Sequence, residues 1–337
     1  MIFLPFNTLP KDEIKRSELL QDYFTEHCVS NILVDNSWLI DFQFPDYPEY
    51  YIDPLIMEGI SWWKRDLTIS EIPFAVKMVD QNFQLSLNDS WTLLAWSQWL
   101  SNYVEQIGFP NEVIILHVDD HDDLMSPRVW KRKSKWSDAI TGKSVNLLDT
   151  DSIANAIRSG AVGIGSFIVP LLHSIPIVQI RHLCATSYSL TRQGWYSLSP
   201  TLIQDVLLNK RNHRLGNDLQ AYPNSSSAPI NKSIYRVTND LNEWLKDLPK
   251  DVPILLHIDM DYFNNRFDGD SDWITHSNRH DPSFKEIETS ISSIFDSLDR
   301  KKVIDKISNI SISLSPRFFP AEFWERSITQ IRHHLNR

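Results

Sequence analysis

The sequence predicts an α/β protein in three layers, with a mainly parallel β-sheet covered by helices on both faces. Three observations lead there. EVIILHV (112–118) and VPILLHI (252–258) are continuous apolar runs with β-branched residues, the signature of strands buried on both faces. Segments with helical spacing alternate with such runs along the chain, as crossover connections between parallel strands require. Each of the two runs also ends in acids, and open α/β sheets gather ligands at the carboxyl ends of their strands.

Residues 1–85 are rich in aromatics and prolines. SELLQDYFTEH (17–27) reads as a short amphipathic helix and NILVDNSWLIDFQF (31–44) as a strand or hairpin. FPDYPEYYIDP (44–54) reads as aromatic loop. This stretch is expected to be an elaboration packed on a main domain of residues 86–337. In the main domain, DSWTLLAWSQWLSNYVEQIG (89–108) predicts a helix stopped by Gly108. The first buried strand follows, and KRKSK (131–135) reads as an exposed loop. DSIANAIRSG (151–160) predicts a helix capped by Asp151 and left through Gly160. IPIVQIRHL (175–183) is a strand, and AYPNSSSAPINKS (221–233) a loop that suits a lid or a disordered stretch. SFKEIETSISSIFDSLD (283–299) predicts a helix with Ile287, Ile291, Ile294, Phe295 and Leu298 on one face. ISNISISLSP (307–316) supplies a late strand.

The bulk numbers narrow the function. A chain of 337 residues accommodates one large α/β domain or two smaller ones. Its net charge of −10 argues against nucleic acid as a partner and is compatible with a cationic substrate. The two cysteines, Cys28 and Cys184, make neither a disulfide framework nor a Cys-rich zinc site, which fits a reducing cytoplasm. The N-terminal stretch lacks a basic segment, and Pro5 and Pro10 break its apolar run, so neither a signal peptide nor a membrane span is expected.

LHVDDH (116–121) and LHIDMD (256–261) carry the chemistry. Side chains two apart on a strand share a face. Asp119, His121 and Asp123 therefore converge if their strand stays extended one step further, and Asp259 and Asp261 do so from the second strand. Adjacent strand ends would place four carboxylates and one imidazole around one small volume. Unneutralised, that grouping is very unfavourable, and bound cations relieve it. Hard oxygen donors with one imidazole and no thiolate suit Mn²⁺ better than structural zinc, and four carboxylates balance two divalent ions. An isolated D-x-D is ordinarily a turn or a helix cap; two acid clusters, each after an apolar strand, favour metal. Asp120 and Asp122 alternate away and suit supporting or capping roles. His117 and His257 lie one step deeper, as core histidines or as supports for the ligands.

At these residues the chain resembles the arginase–deacetylase superfamily, whose ureohydrolases bind two manganese ions through D-x-H-x-D and D-x-D. LHVDDHDDL, VGIGSFIVPLL (162–172), HIDMDYF (257–263) and SLSPRFFP (313–320) together look like its divergent arginase-like family, which includes the peptide arginases. Those enzymes convert arginine side chains of a ribosomally made precursor peptide to ornithine and release urea. The resemblance, over roughly residues 86–325 by block order, implies an arginase-like fold, two Mn²⁺ ions and an arginine-containing precursor peptide as partner. The ligands it implies are Asp119, His121, Asp123, Asp259 and Asp261, and Asp123 would pass a proton to the departing amine. Arginases carry a further histidine ligand on the preceding helix. This chain has no histidine between His27 and His117. Asp89, in SLNDSWTLLAW (86–96), matches that position and is either a ligand or a helix cap. A glutamate after the last strand should meet the guanidinium; Glu322 is the candidate and Glu325 the alternative, although both also suit the first turn of a helix. The resemblance puts Ser166 near the substrate, while Gly163 and Gly165 could serve only a tight turn. His276 and His280 are either proton donors or solvated loop residues. The competing functions are a ureohydrolase or amide hydrolase acting on a free small molecule, and a non-catalytic metal- or peptide-binding relative.

Overall fold

Alternate side chains of the central strands enter opposite cores, so both faces of the sheet are covered. The computed structural model describes residues 1–185, 193–222 and 231–336. Of the loop expected at 221–233, residues 223–230 lie outside the described residues. The N-terminal strands are β1 (Ile2–Pro5), β2 (Cys28–Val34) and β3 (Ser37–Gln43). The main sheet contains β4 (Val76–Met78), β5 (Phe83–Ser86), β6 (Glu112–Val118), β7 (Val129–Arg132), β8 (Lys135–Asp138), β9 (Ser144–Val145), β10 (Ile177–Leu183), β11 (Gly194–Gln204), β12 (His213–Ala221), β13 (Ile234–Thr238), β14 (Ile254–Asp259) and β15 (Ile307–Ser313).

Among the described residues the main sheet has 12 strands in the order β4-β5-β15-β14-β6-β10-β13-β11-β12-β7-β8-β9. The run from β5 through β15, β14, β6 and β10 to β13 is parallel. Both flanks are antiparallel. The mainly parallel expectation therefore holds for the centre alone, and the sheet as a whole is mixed. Hairpins explain the difference, because antiparallel neighbours need only a short turn. KRKSK, expected as a loop, is such a hairpin: β7 and β8 pair across a turn at Lys133 and Ser134, with Lys133 at φ 55°.

Ile114, Leu116 and Val118 of β6, with Leu256 and Ile258 of β14, pack beneath the Phe284–Arg300 and Trp324–Leu335 helices through Ile287, Ile291, Phe295, Trp324 and Ile328. Val113, Ile115 and Leu255 point the other way, toward Trp96 and Leu100 of the Thr92–Gln106 helix and Ile153 and Ile157 of Thr150–Arg158. Each fully buried aliphatic side chain contributes about 1.5–3 kcal/mol. That is why the alternation fixes the register so firmly. Local signals agree: Ser283 and Glu286 form a capping box. The Thr150–Arg158 helix is capped by Asp149, not by the expected Asp151, since Asp149 accepts from the amides of Asp151 and Ser152.

The N-terminal strands form an antiparallel sheet in the order β1-β3-β2. With the Glu13–Tyr23 helix they enclose Leu4, Leu20, Phe24, Trp38 and Ile40, and Leu207 from beyond β11 completes that cluster. Arg128 ties this unit to the main body, donating to the carbonyls of Tyr23 and Gly160. β4 and most of β5, also from the first 85 residues, belong to the main sheet. Cys28 is exposed and Cys184 is buried. No described helix is long and apolar enough to cross a membrane.

Candidate metal centre

β6 and β14 are parallel neighbours in register, with His117 opposite His257 and Val118 opposite Ile258. Asp119 and Asp259 consequently leave the sheet side by side. The route of the remaining ligands differs from the extended strand expected. β6 ends at Val118, and the chain turns back through Asp123, whose φ is 51°. Asp261 sits in the 3₁₀ turn Met260–Tyr262, and its amide donates to Asp259 Oδ1 at 3.0 Å. Convergence is thus produced by two turns with inward-facing acids.

His121 Nδ1 lies 2.8 Å from Asp261 Oδ2, while the His121 amide donates to Asp119 Oδ1 at 2.7 Å. Asp261 Oδ1 accepts from the Asp120 amide at 3.2 Å. Ser315 donates to Asp259 Oδ2 at 2.5 Å. Among the described residues two groups are tight enough to hold a metal ion: Asp119, His121 and Asp261, and His117, Asp119, Asp123 and His257. Asp119 belongs to both.

The oxygens fit a cation. Among the described residues Asp119 Oδ2, Asp123 Oδ2 and Asp89 Oδ1 are buried without a hydrogen-bond partner, and leaving such groups uncompensated is costly. Burial, and then the neighbouring acids, push the Asp89 and Asp119 carboxyls well above the usual range. Burial followed by Asp261 does the same to Asp259, and burial raises Asp123. A cluster in this condition takes up protons or cations. For His121, burial disfavours the charged ring, but the charge of Asp261 and the hydrogen bonds the ring donates to the Asp119, Asp261 and Asp268 carboxylates outweigh it and raise the pKa.

Asp89 does not cap the helix that follows. It lies in the 3₁₀ turn Asp89–Trp91 without a side-chain cap bond, and its Oδ2 accepts from the Gly165 amide at 3.2 Å. It faces the same cavity as the other acids but is outside the two tight groups. His117 and His257 floor the site, their Nδ1 atoms 3.0 Å apart. A carbonyl only accepts, so His117 Nε2–H donates to the His121 carbonyl at 3.1 Å and its Nδ1 accepts from His257. Burial holds both rings neutral, with His257 lowered to about 3. Asp120 is steadied by Asn265, which donates to it at 2.9 Å, and Asp122 accepts from the Leu124 amide.

Above the acids is a cavity of about 350 Å³ walled by Phe44, Tyr50, Tyr51 and Phe318, with Glu26 and Arg317 also on its lining. Several residues picked from sequence lie elsewhere. Glu322 is bound to Arg266 at 2.7 Å and is not on the cavity lining. Glu325 is exposed on its helix. Ser166 is buried, exchanging hydrogen bonds with the amide and carbonyl of Gly163, so it holds the turn and does not reach the cavity. His276 is paired with Asp270 and His280 with the Tyr262 carbonyl. Sequence reasoning missed Ser315, Asn265 and Glu26. Ser315 lay inside a quoted block, SLSPRFFP, yet no spacing rule links residue 26 to the acid motifs. No protein-family model matches the chain, and no curated protein matches it.

Proposed function

We propose that this chain is a manganese-dependent peptide arginase with an arginase-like fold, hydrolysing the guanidinium of peptidyl arginine to ornithine and urea in a ribosomally made precursor peptide. The observation that carries the proposal is the meeting of two acid-terminated strands at Asp119, a residue common to both groups able to hold an ion. Asp119, His121, Asp123, Asp259 and Asp261 would hold two Mn²⁺ ions, with Asp89 the further acid facing them. The hard donor set suits that ion. Bound divalent ions would supply charge compensation and water acidified enough to react at neutral pH.

The chain's own residues do the rest. Ser315 orients Asp259, and the His117–His257 floor lies beneath Asp119 and Asp123, with His117 Nε2 3.7 Å from a carboxylate oxygen of each. Water adds to the guanidinium carbon as Asp123 takes up its proton, the bond from that carbon to the side-chain nitrogen breaks, and Asp123 passes that proton to the departing amine. The aromatic walls give the cavity an apolar rim above the acids, against which a peptide's flanking residues would pack. Purified protein with Mn²⁺ would be incubated with arginine-containing peptides and with free arginine, then assayed for urea and peptide mass. A loss of about 42 Da per arginine, as metal-assisted hydrolysis requires, supports the reading. Turnover of free arginine alone removes the peptide assignment, and one ion or none per chain favours a non-catalytic binder.

A further inference from the structure

We infer that Glu26, carried by the N-terminal elaboration, is the carboxylate that receives the substrate guanidinium, in the role expected of Glu322. The inference rests on the arginine reading above and names the residue that recognises the charged group.

Glu26 lines the cavity that holds Asp89, Asp119, Asp123, Asp259 and Asp261 and is only 6 % exposed. Its bonding leaves it available. The Ile164 amide donates to its carboxylate, yet among the described residues no cation lies within 4.0 Å of it. The two nearest arginines are engaged elsewhere. Arg128 donates to the carbonyls of Tyr23 and Gly160, and Arg317 to Tyr50 and the Gly269 carbonyl. Asp259 and Asp261 are tied to Ser315 and His121. A carboxylate buried at the wall of a cavity, which Arg128 and Arg317 act on only from a distance and do not pair with, is a site for a cationic ligand, and a guanidinium matches its fork.

The loop opposite is shaped around this side chain. A Cβ on Gly163 would lie 1.5 Å from Glu26 Oε1, and one on Gly160 would lie 2.3 Å from the His27 ring. Gly165 at φ 71° does serve a turn. Gly163 has a different reason to be glycine, which is to leave room for the Glu26 carboxylate.

The test compares wild type with Glu26→Gln and Glu26→Asp, all loaded with Mn²⁺. The probe is N-acetylarginine methylamide, with the neutral N-acetylcitrulline methylamide as its twin. Binding is read by calorimetry at low temperature, manganese content by elemental analysis, and urea release by initial rates. Wild type should prefer the arginine probe. Glu26→Gln should lose that preference, weakening arginine binding about 10- to 100-fold as loss of a charged hydrogen bond does, with manganese content unchanged. Any urea release should show the loss mainly in KM, and Glu26→Asp should recover part of it. An unchanged preference in Glu26→Gln, no preference in wild type, or a loss of manganese in the variant overturns the inference. The two readings fail separately. Absence of urea from every peptide removes the arginase reading while the binding arm still decides Glu26; urea release with unaltered KM in Glu26→Gln removes Glu26 alone.

Discussion

Replacing Glu26 by glutamine deletes one ionisable group at almost constant volume, so stability measured against pH isolates that group. Burial, opposed by Arg128, the Ile164 amide and Arg317, raises the Glu26 carboxyl from an ordinary 4.5 to about 7. The acids and phenols that feel it are Asp89 and Tyr50. An acid whose folded pKa is raised keeps its proton longer when folded than when unfolded. Between about pH 4.5 and 7 the unfolded state binds fewer protons, and stability falls as pH rises. The full cost is reached above pH 7. At about 1.4 kcal/mol per pH unit it amounts to about 3 kcal/mol as an upper figure.

The assay is a set of urea or thermal melts of wild type and Glu26→Gln from pH 4.5 to 8, in chelator and then with Mn²⁺. In chelator the variant should gain on wild type across that interval, ending a few kcal/mol ahead at pH 8, and the two curves should meet at the acid end. Manganese should narrow the gap, because nearby cations favour the ionised carboxylate. Parallel curves across the whole range would refute the reasoning, since Glu26 would then titrate normally and sit in water.

Asp119→Asn should weaken metal uptake at both tight groups at once, by more than the 10- to 100-fold typical of losing a supporting partner, and elemental analysis after dialysis reads this. Ser315→Ala removes the donor to Asp259 and should cost about 10- to 100-fold in metal affinity by the same logic, with little change in melting. Gly163→Ala drives a methyl into the Glu26 carboxylate and should destabilise by about 1–3 kcal/mol, while reproducing the Glu26→Gln loss of arginine preference in calorimetry.

Elements whose cause is local were legible in the sequence. The buried strands declared themselves as apolar runs, and β6 and β14 lie where EVIILHV and VPILLHI placed them. Asp119 and Asp259 followed from where those strands end, whereas Asp261 reaches the cluster through a 3₁₀ turn and not through the strand alternation expected. The antiparallel flank was hidden, because β11 and β12 are only partly buried and carry polar residues on the exposed face. The helix cap slipped by two residues because Asp149 and Asp151 both have cap chemistry, and only the backbone decides between them. Asp89 was ambiguous for a similar reason. The feature that determines its orientation is the Gly165 amide, far away in sequence. Glu26 was out of reach altogether, since its burial depends on the 160–163 loop and not on its own neighbours.

These differences follow from how charge is gathered. Strand ends of a parallel sheet collect acids cheaply in conformational terms, because two registered strands already bring their termini together. That arrangement supplies a cluster able to hold cations and little that discriminates among substrates. Discrimination needs a charge offset from the cluster and shielded from water, and a strand end cannot provide it without adding to the same repulsion. Here Glu26 comes from the separately cored N-terminal unit, while Tyr50 and Tyr51, which pack with the main core, complete the cavity wall with Phe44. The central sheet then supplies the acid groups able to hold a metal ion, and the proposal assigns the choice of ligand to the elaboration. A change at the Glu26–Gly163 contact should therefore alter which ligand binds while leaving the acids at the strand ends able to hold their ions.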